Sequence, residues 1–89
     1  MKILLNDGTE YPANWCGAAD GVLTASLAGE YEIPDLALAF GDPEAVARIE
    51  FQYGEMCDVF EGFTRLVGLQ LDGWGSGSAL VSLERGTGV

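Results

Sequence analysis

The chain has no histidine and only four basic side chains, Lys2, Arg48, Arg65 and Arg85, in 89 residues. Without histidine there is no Ser-His-Asp or Cys-His nucleophile system, no imidazole general base and little scope for a zinc site. Four scattered cations against 14 carboxylates leave a net charge of -10. Phosphate recognition rests on clustered Lys and Arg that release counterions, so no nucleic-acid partner is expected. An anionic membrane surface repels such a chain, and no apolar run is long enough to span a bilayer. Cysteine is scarce as well, with Cys16 and Cys57 in no CxxC context. Met1-Lys2 is followed by three apolar residues before Asn6-Asp7-Gly8, too few for a secretory signal. Both thiols are therefore read as reduced, buried and inert in a bacterial cytoplasm or a virion component. A disulfide stays open if the protein ends up outside a cell.

What is present is apolar and alternating. With 48% hydrophobic residues the chain can bury one core, read as a single domain over residues 1–85 with a frayed tail over 86–89. The run from Ala47 to Asp72 carries the clearest pattern. Ala47, Ile49, Phe51 and Tyr53 alternate with Arg48, Glu50 and Gln52, a Gly54-Glu55 turn follows, and two further strand-like segments cover 56–63 and 64–72. That alternation marks antiparallel strands with one buried and one wet face. Upstream, Lys2–Asn6 and Thr9–Cys16 flank Asp7-Gly8, a pair suited to a type I′ hairpin turn. Pro12 has no amide hydrogen, which places its strand at an edge or its position at a bulge. Residues 17–21 read as a loop and Val22–Leu27 as a third strand.

Pro34–Phe40 is the one helical segment, with Leu36, Ala39 and Phe40 on a common face and Gly41 ending it. Asp42-Pro43-Glu44-Ala45 reads as a cap and a single turn. A glycine-serine loop, Gly73 to Ser78, interrupted by Trp74, precedes a last strand over Ala79–Arg85. The expected class is α+β, predominantly β: antiparallel sheet or sheets of about seven short strands, with one short helix between strands three and four.

Candidate sites are few. Glu50 with Asp58 or Glu61 is the only plausible acid/base pair, and alternation assigns these residues to the solvated face or its margin. The acidic clusters at Asp42-Pro43-Glu44 and Glu30-Tyr31-Glu32 lack the spacing of a calcium loop. The Gly73–Ser78 loop precedes a strand and lacks the lysine of a phosphate cradle. No catalytic, metal or cofactor-binding residue is assigned, and the chain is read as non-enzymatic. Trp15, inside a strand, reads as core. Phe60-Glu61-Gly62-Phe63-Thr64 reads as a bulge, a bend or a very short connection. Trp74, Tyr11 and Tyr31 are the residues expected to touch a partner.

The opening Met1-Lys2-Ile3-Leu4-Leu5-Asn6-Asp7-Gly8-Thr9-Glu10, the Asp35-Leu36 helix ending at Phe40, the strand Ala47–Tyr53, Gly54-Glu55 and Gly62-Phe63-Thr64 together resemble a group of small proteins. These are encoded among phage structural genes and integrated prophages of gut Firmicutes. The resemblance implies a minor structural or assembly role in a phage particle, at the tail, and supplies no catalytic residues. The segment from Cys16 to Gly21 and the Trp74 loop have no counterpart in it. The expected function is a protein-interaction or structural module that meets a protein partner or forms a homo-oligomer. The alternative is a small-ligand or carbohydrate-binding module using exposed tryptophan and tyrosine.

Overall fold

The structure, a computed structural model, describes residues 1–71 and 78–86. The described chain is mostly β. Its elements are β1 (Lys2–Leu5), β2 (Glu10–Ala19), β3 (Val22–Ala28), α1 (Ile33–Phe40), β4 (Arg48–Tyr53), β5 (Met56–Glu61), β6 (Arg65–Leu71) and β7 (Ser78–Glu84). All seven strands join one antiparallel sheet in the order β5-β4-β1-β2-β3-β7-β6, and the helix falls between the third and fourth strands as the sequence implied. Among the described residues no helix is long and apolar enough to cross a membrane.

That order forces the sheet to curl. β5 and β6 lie at opposite ends of it, so a flat sheet would separate them by six strand spacings, about 29 Å. Yet only residues 62–64 connect them, a link from Glu61 to Arg65 that reaches at most about 14 Å. The two ends therefore meet at this corner. Gly62 holds it: its N–H donates to the Ala47 carbonyl at 3.2 Å and its own carbonyl accepts from the Gly86 N–H at 3.0 Å. The backbone turns there in the left-handed region, with Gly62 at φ 85°. The opposite corner lies within β2, whose first half pairs with β1 and whose second half pairs with β3. The core forms between the two half-sheets, from Ile3, Leu5, Ile49 and Phe51 on one and Leu23, Leu27, Val81 and Leu83 on the other.

The β2 corner explains where sequence periodicity fails. The register shifts between Ala13 and Trp15, so Ala13 and Cys16 are both buried while Asn14 and Trp15 both face solvent. A one-residue bulge moves every later side chain to the other face. Trp15, expected in the core, is 48% exposed for this reason. Pro12 precedes the bulge, where β2 has β1 on one side and β3 has not yet begun to pair.

Two turns also differ from expectation. At the first hairpin only Gly8 has positive φ, 93°, and Asp7 does not. The Gly8 N–H bonds to the Leu5 carbonyl and the Leu5 N–H to that of Thr9, the pattern of a three-residue loop closed by a left-handed glycine rather than a type I′ pair. Asp7 instead accepts a hydrogen bond from the Thr9 N–H at 2.9 Å, which lowers its pKa. The type I′ turn occurs one hairpin later. Asp20 (φ 54°) and Gly21 (φ 77°) join Ala19 to Val22, so part of the segment read as a loop is the end of β2.

The helix closes the core. Leu36 and Phe40, four residues apart, are fully buried, and α1 packs on β6. Phe40 meets the Tyr11 ring at 5.3 Å between centroids, and Tyr11 meets Tyr31 at 5.9 Å. Gly41 ends the helix, its N–H bonding to the Ala37 carbonyl. The Asp42 carboxylate then accepts from the Glu44 N–H at 3.0 Å, capping the turn before β4.

Candidate functional site

Of the sheet's two end strands, β6 is the one on which α1 packs, and the other is β5. It pairs with β4 and, among the described residues, with nothing else. The β4–β5 hairpin has the two-residue loop Gly54-Glu55, in which Gly54 alone takes positive φ, 58°. The flanking pair Tyr53–Met56 is therefore hydrogen-bonded, and bonded pairs alternate from there: Phe51–Asp58, then Ile49–Phe60. Gly62, bonded to Ala47, continues the same parity. The N–H and C=O groups of Cys57, Val59 and Glu61 consequently point away from the sheet. This is a row of unmet backbone donors and acceptors.

The side chains on this strand are accessible too. Met56 is 61% and Val59 44% exposed, and Cys57 is exposed. Cys57 was expected to be buried; an edge strand on the outer face of its hairpin has no layer to cover it. Cys16 matches the expectation, since burial, aided by the Asp58 charge, pushes its thiol up to about 12. The edge is acidic. Among the described residues Glu55, Asp58 and Glu61 join none of the ion pairs Lys2–Glu10, Arg48–Glu50 and Arg65–Glu84. Asp58 accepts a hydrogen bond from the Tyr53 hydroxyl at 2.9 Å, which raises the Tyr53 pKa.

The register separates one of the two candidate carboxylate pairs, Glu50 with Asp58, and leaves the other, Glu50 with Glu61, on a common face of the hairpin. Glu50 stands opposite Val59 and Asp58 opposite Phe51, so Glu50 and Asp58 lie on different faces of the hairpin. Glu50 is held by Arg48 and Gln52, and those hydrogen bonds, Arg48 first, lower its pKa. Glu61 lies opposite Arg48.

A second feature sits on the outer face of the β2–β3 hairpin. Trp15, Gly17, Ala18, Ala19, Val22 and Thr24 line a shallow hollow of about 370 Å³. Gly17 opens it, because a Cβ there would meet nothing within 4 Å.

Of the residues expected to touch a partner, Trp74 lies outside the described residues. Tyr11 and Tyr31 are half-buried and tied into the ring contacts around Phe40, with the Tyr31 hydroxyl donating to the Ala28 carbonyl at 2.9 Å. Burial raises both phenol pKa values. The sequence pointed to strand edges as the contact element without indicating which strand, because each face of 56–61 carries two apolar residues and one acidic one. No family model, curated protein or solved structure matches the chain.

Proposed function

We propose that this chain is a non-enzymatic interaction module that pairs an extended segment of a partner protein along the open edge of β5. Its setting is the one its sequence resembles, a minor structural or assembly component of a phage tail encoded in a prophage. The observation that carries the reading is the outward row of backbone groups at Cys57, Val59 and Glu61, which strand addition satisfies directly. Glu55, Asp58 and Glu61 along the same edge favour a basic segment and disfavour a second copy of this acidic chain. The same charges and the strand's six-residue length protect the edge from indiscriminate aggregation.

The test is co-expression with the proteins encoded beside it, with the complex detected by light scattering and mapped by amide exchange. Val59→Pro removes an outward N–H and no bond to β4, so it should block assembly while leaving the fold intact. Failure to form a complex with any neighbour, or a complex indifferent to Val59→Pro, sinks the proposal.

The hollow beside Trp15 favours a second reading, a small-ligand or carbohydrate site. A half-exposed indole beside an uncharged floor can stack on an apolar sugar face, with the Thr24 hydroxyl within the lining. Tryptophan fluorescence that stays flat across neutral sugars argues against it, as does binding unaffected when Gly17→Val fills the hollow.

A further inference from the structure

The surface of α1 is unusual for the outside of a small acidic domain. Leu36 and Phe40 face the core, and the opposite side of the helix carries Pro34 and Leu38, with Ala37 beside them and Ile33 at the helix start. All four are exposed, and Leu38, at 79%, is the most exposed large hydrophobic side chain among the described residues, ahead even of Met1. Scattered apolar residues on a surface need no explanation, but a contiguous group does.

The charge near this group in the chain is all of one sign. Glu30, Glu32, Asp35, Asp42 and Glu44 flank or lie on the helix, and all are exposed. No Lys or Arg occurs between Lys2 and Arg48. The four cations have partners elsewhere. Lys2, Arg48 and Arg65 are paired with Glu10, Glu50 and Glu84, and Arg85 lies over the Phe63 ring at 4.6 Å. Among the described residues none of the five carboxylates joins an ion pair. Glu30, Glu32 and Asp35 precede or open the helix and Asp42 and Glu44 follow it, so both ends of the face carry negative charge.

We infer that the outer face of α1 is a docking surface for a short, basic amphipathic segment of a partner protein, with Leu38 as its apolar anchor and the five carboxylates at its ends. Charge complementarity selects the occupant. A second copy of the chain brings the same carboxylates to the contact, and an anionic lipid surface is repelled. A segment with apolar residues on one face and Lys or Arg on its borders satisfies both parts at once. Eight residues of helix span about 12 Å, so the contact is small, weak and reversible. The inference rests on the chain's being an interaction module but not on β5, because Val59→Pro leaves the helix face untouched and a Leu38 variant leaves the strand edge untouched.

The experiment titrates the isotope-labelled full chain with two synthetic helical peptides of equal positive charge. One carries a leucine stripe and Lys borders, the other serine in place of each leucine. Saturable shifts confined to residues 30–44, with the leucine peptide bound about tenfold more tightly than the serine peptide, are the expected result. Leu38→Ala should weaken the leucine peptide about tenfold without moving the melting temperature, and added salt should weaken both peptides. Equal binding of the two peptides overturns the inference. So does indifference to Leu38→Ala, or a shift map centred elsewhere on the chain.

Discussion

Phe40 and Leu38 stand two residues apart on one helix, and truncating each to alanine gives the sharpest test of how α1 is held. Phe40 has no exposed surface and Leu38 is 79% exposed. A phenyl side chain buries about 150–250 Å², which at about 25 cal/mol per Å² corresponds to roughly 4–6 kcal/mol as an upper bound. Measured Phe→Ala costs in cores run about 3–5 kcal/mol once the cavity is included. Phe40→Ala also removes the ring that Tyr11 meets at 5.3 Å. A loss of about 4 kcal/mol is therefore expected, a large share of the stability of a domain this size and a fall in Tm of about 20 °C or more. Leu38→Ala should change stability by less than about 0.5 kcal/mol. Thermal and urea melts followed by circular dichroism measure both. If the two variants lose similar amounts, or Phe40→Ala loses less than about 1 kcal/mol, α1 is not anchored through that face and the derivation from its burial pattern is wrong.

Thiol labelling should find one reactive cysteine in the native protein, Cys57, and two after denaturation, because Cys16 is buried and its thiol is pushed up to about 12. The folded value exceeds the ordinary thiol value of 9.0, so this contribution to stability is complete below about pH 9 and is lost as pH rises through about 12. The raised phenols of Tyr11 and Tyr31 act in the same direction, and urea midpoints should fall across the alkaline range. Gly54→Ala forces a side chain to φ 58° at the first turn position of the β4–β5 hairpin and should cost about 1–2 kcal/mol by urea denaturation. Gly41→Ala would drive a Cβ into the Ala37 carbonyl, with an expected cost of about 1–3 kcal/mol and a visible loss of helical signal. A neutral effect at either glycine refutes the turn geometry on which it rests.

The parts of the fold legible in the sequence are those set by neighbours along the chain. Ile49 and Phe51 alternate with Arg48 and Glu50 because successive strand side chains take opposite faces. The helix over Leu36 and Phe40 follows from i, i+4 spacing and a terminating glycine. The Asp20-Gly21 turn was equally legible as a two-residue hairpin signal, but small residues around it made the end of β2 look like a loop. At the first hairpin the reverse happened: Asp7-Gly8 has the composition of a type I′ pair, yet Asn6 joins the turn and Asp7 spends its carboxylate on the Thr9 N–H.

The amino-acid sequence by itself determined the predominantly β class, the position of the helix between the third and fourth strands and the acidic balance. Each follows from composition or from residues within a few positions of one another. Only the tertiary structure decided which strands are neighbours, because β1 lies between β2 and β4, and β3 pairs with β7, through contacts distant in the chain. It also decided that the sheet curls until β5 and β6 meet at Gly62, and that β5 is left with an open edge. A bulge of one residue turned Trp15 outward and Cys16 inward. These outcomes depend on which faces can be buried together, and burial is a property of the assembled sheet rather than of any strand within it.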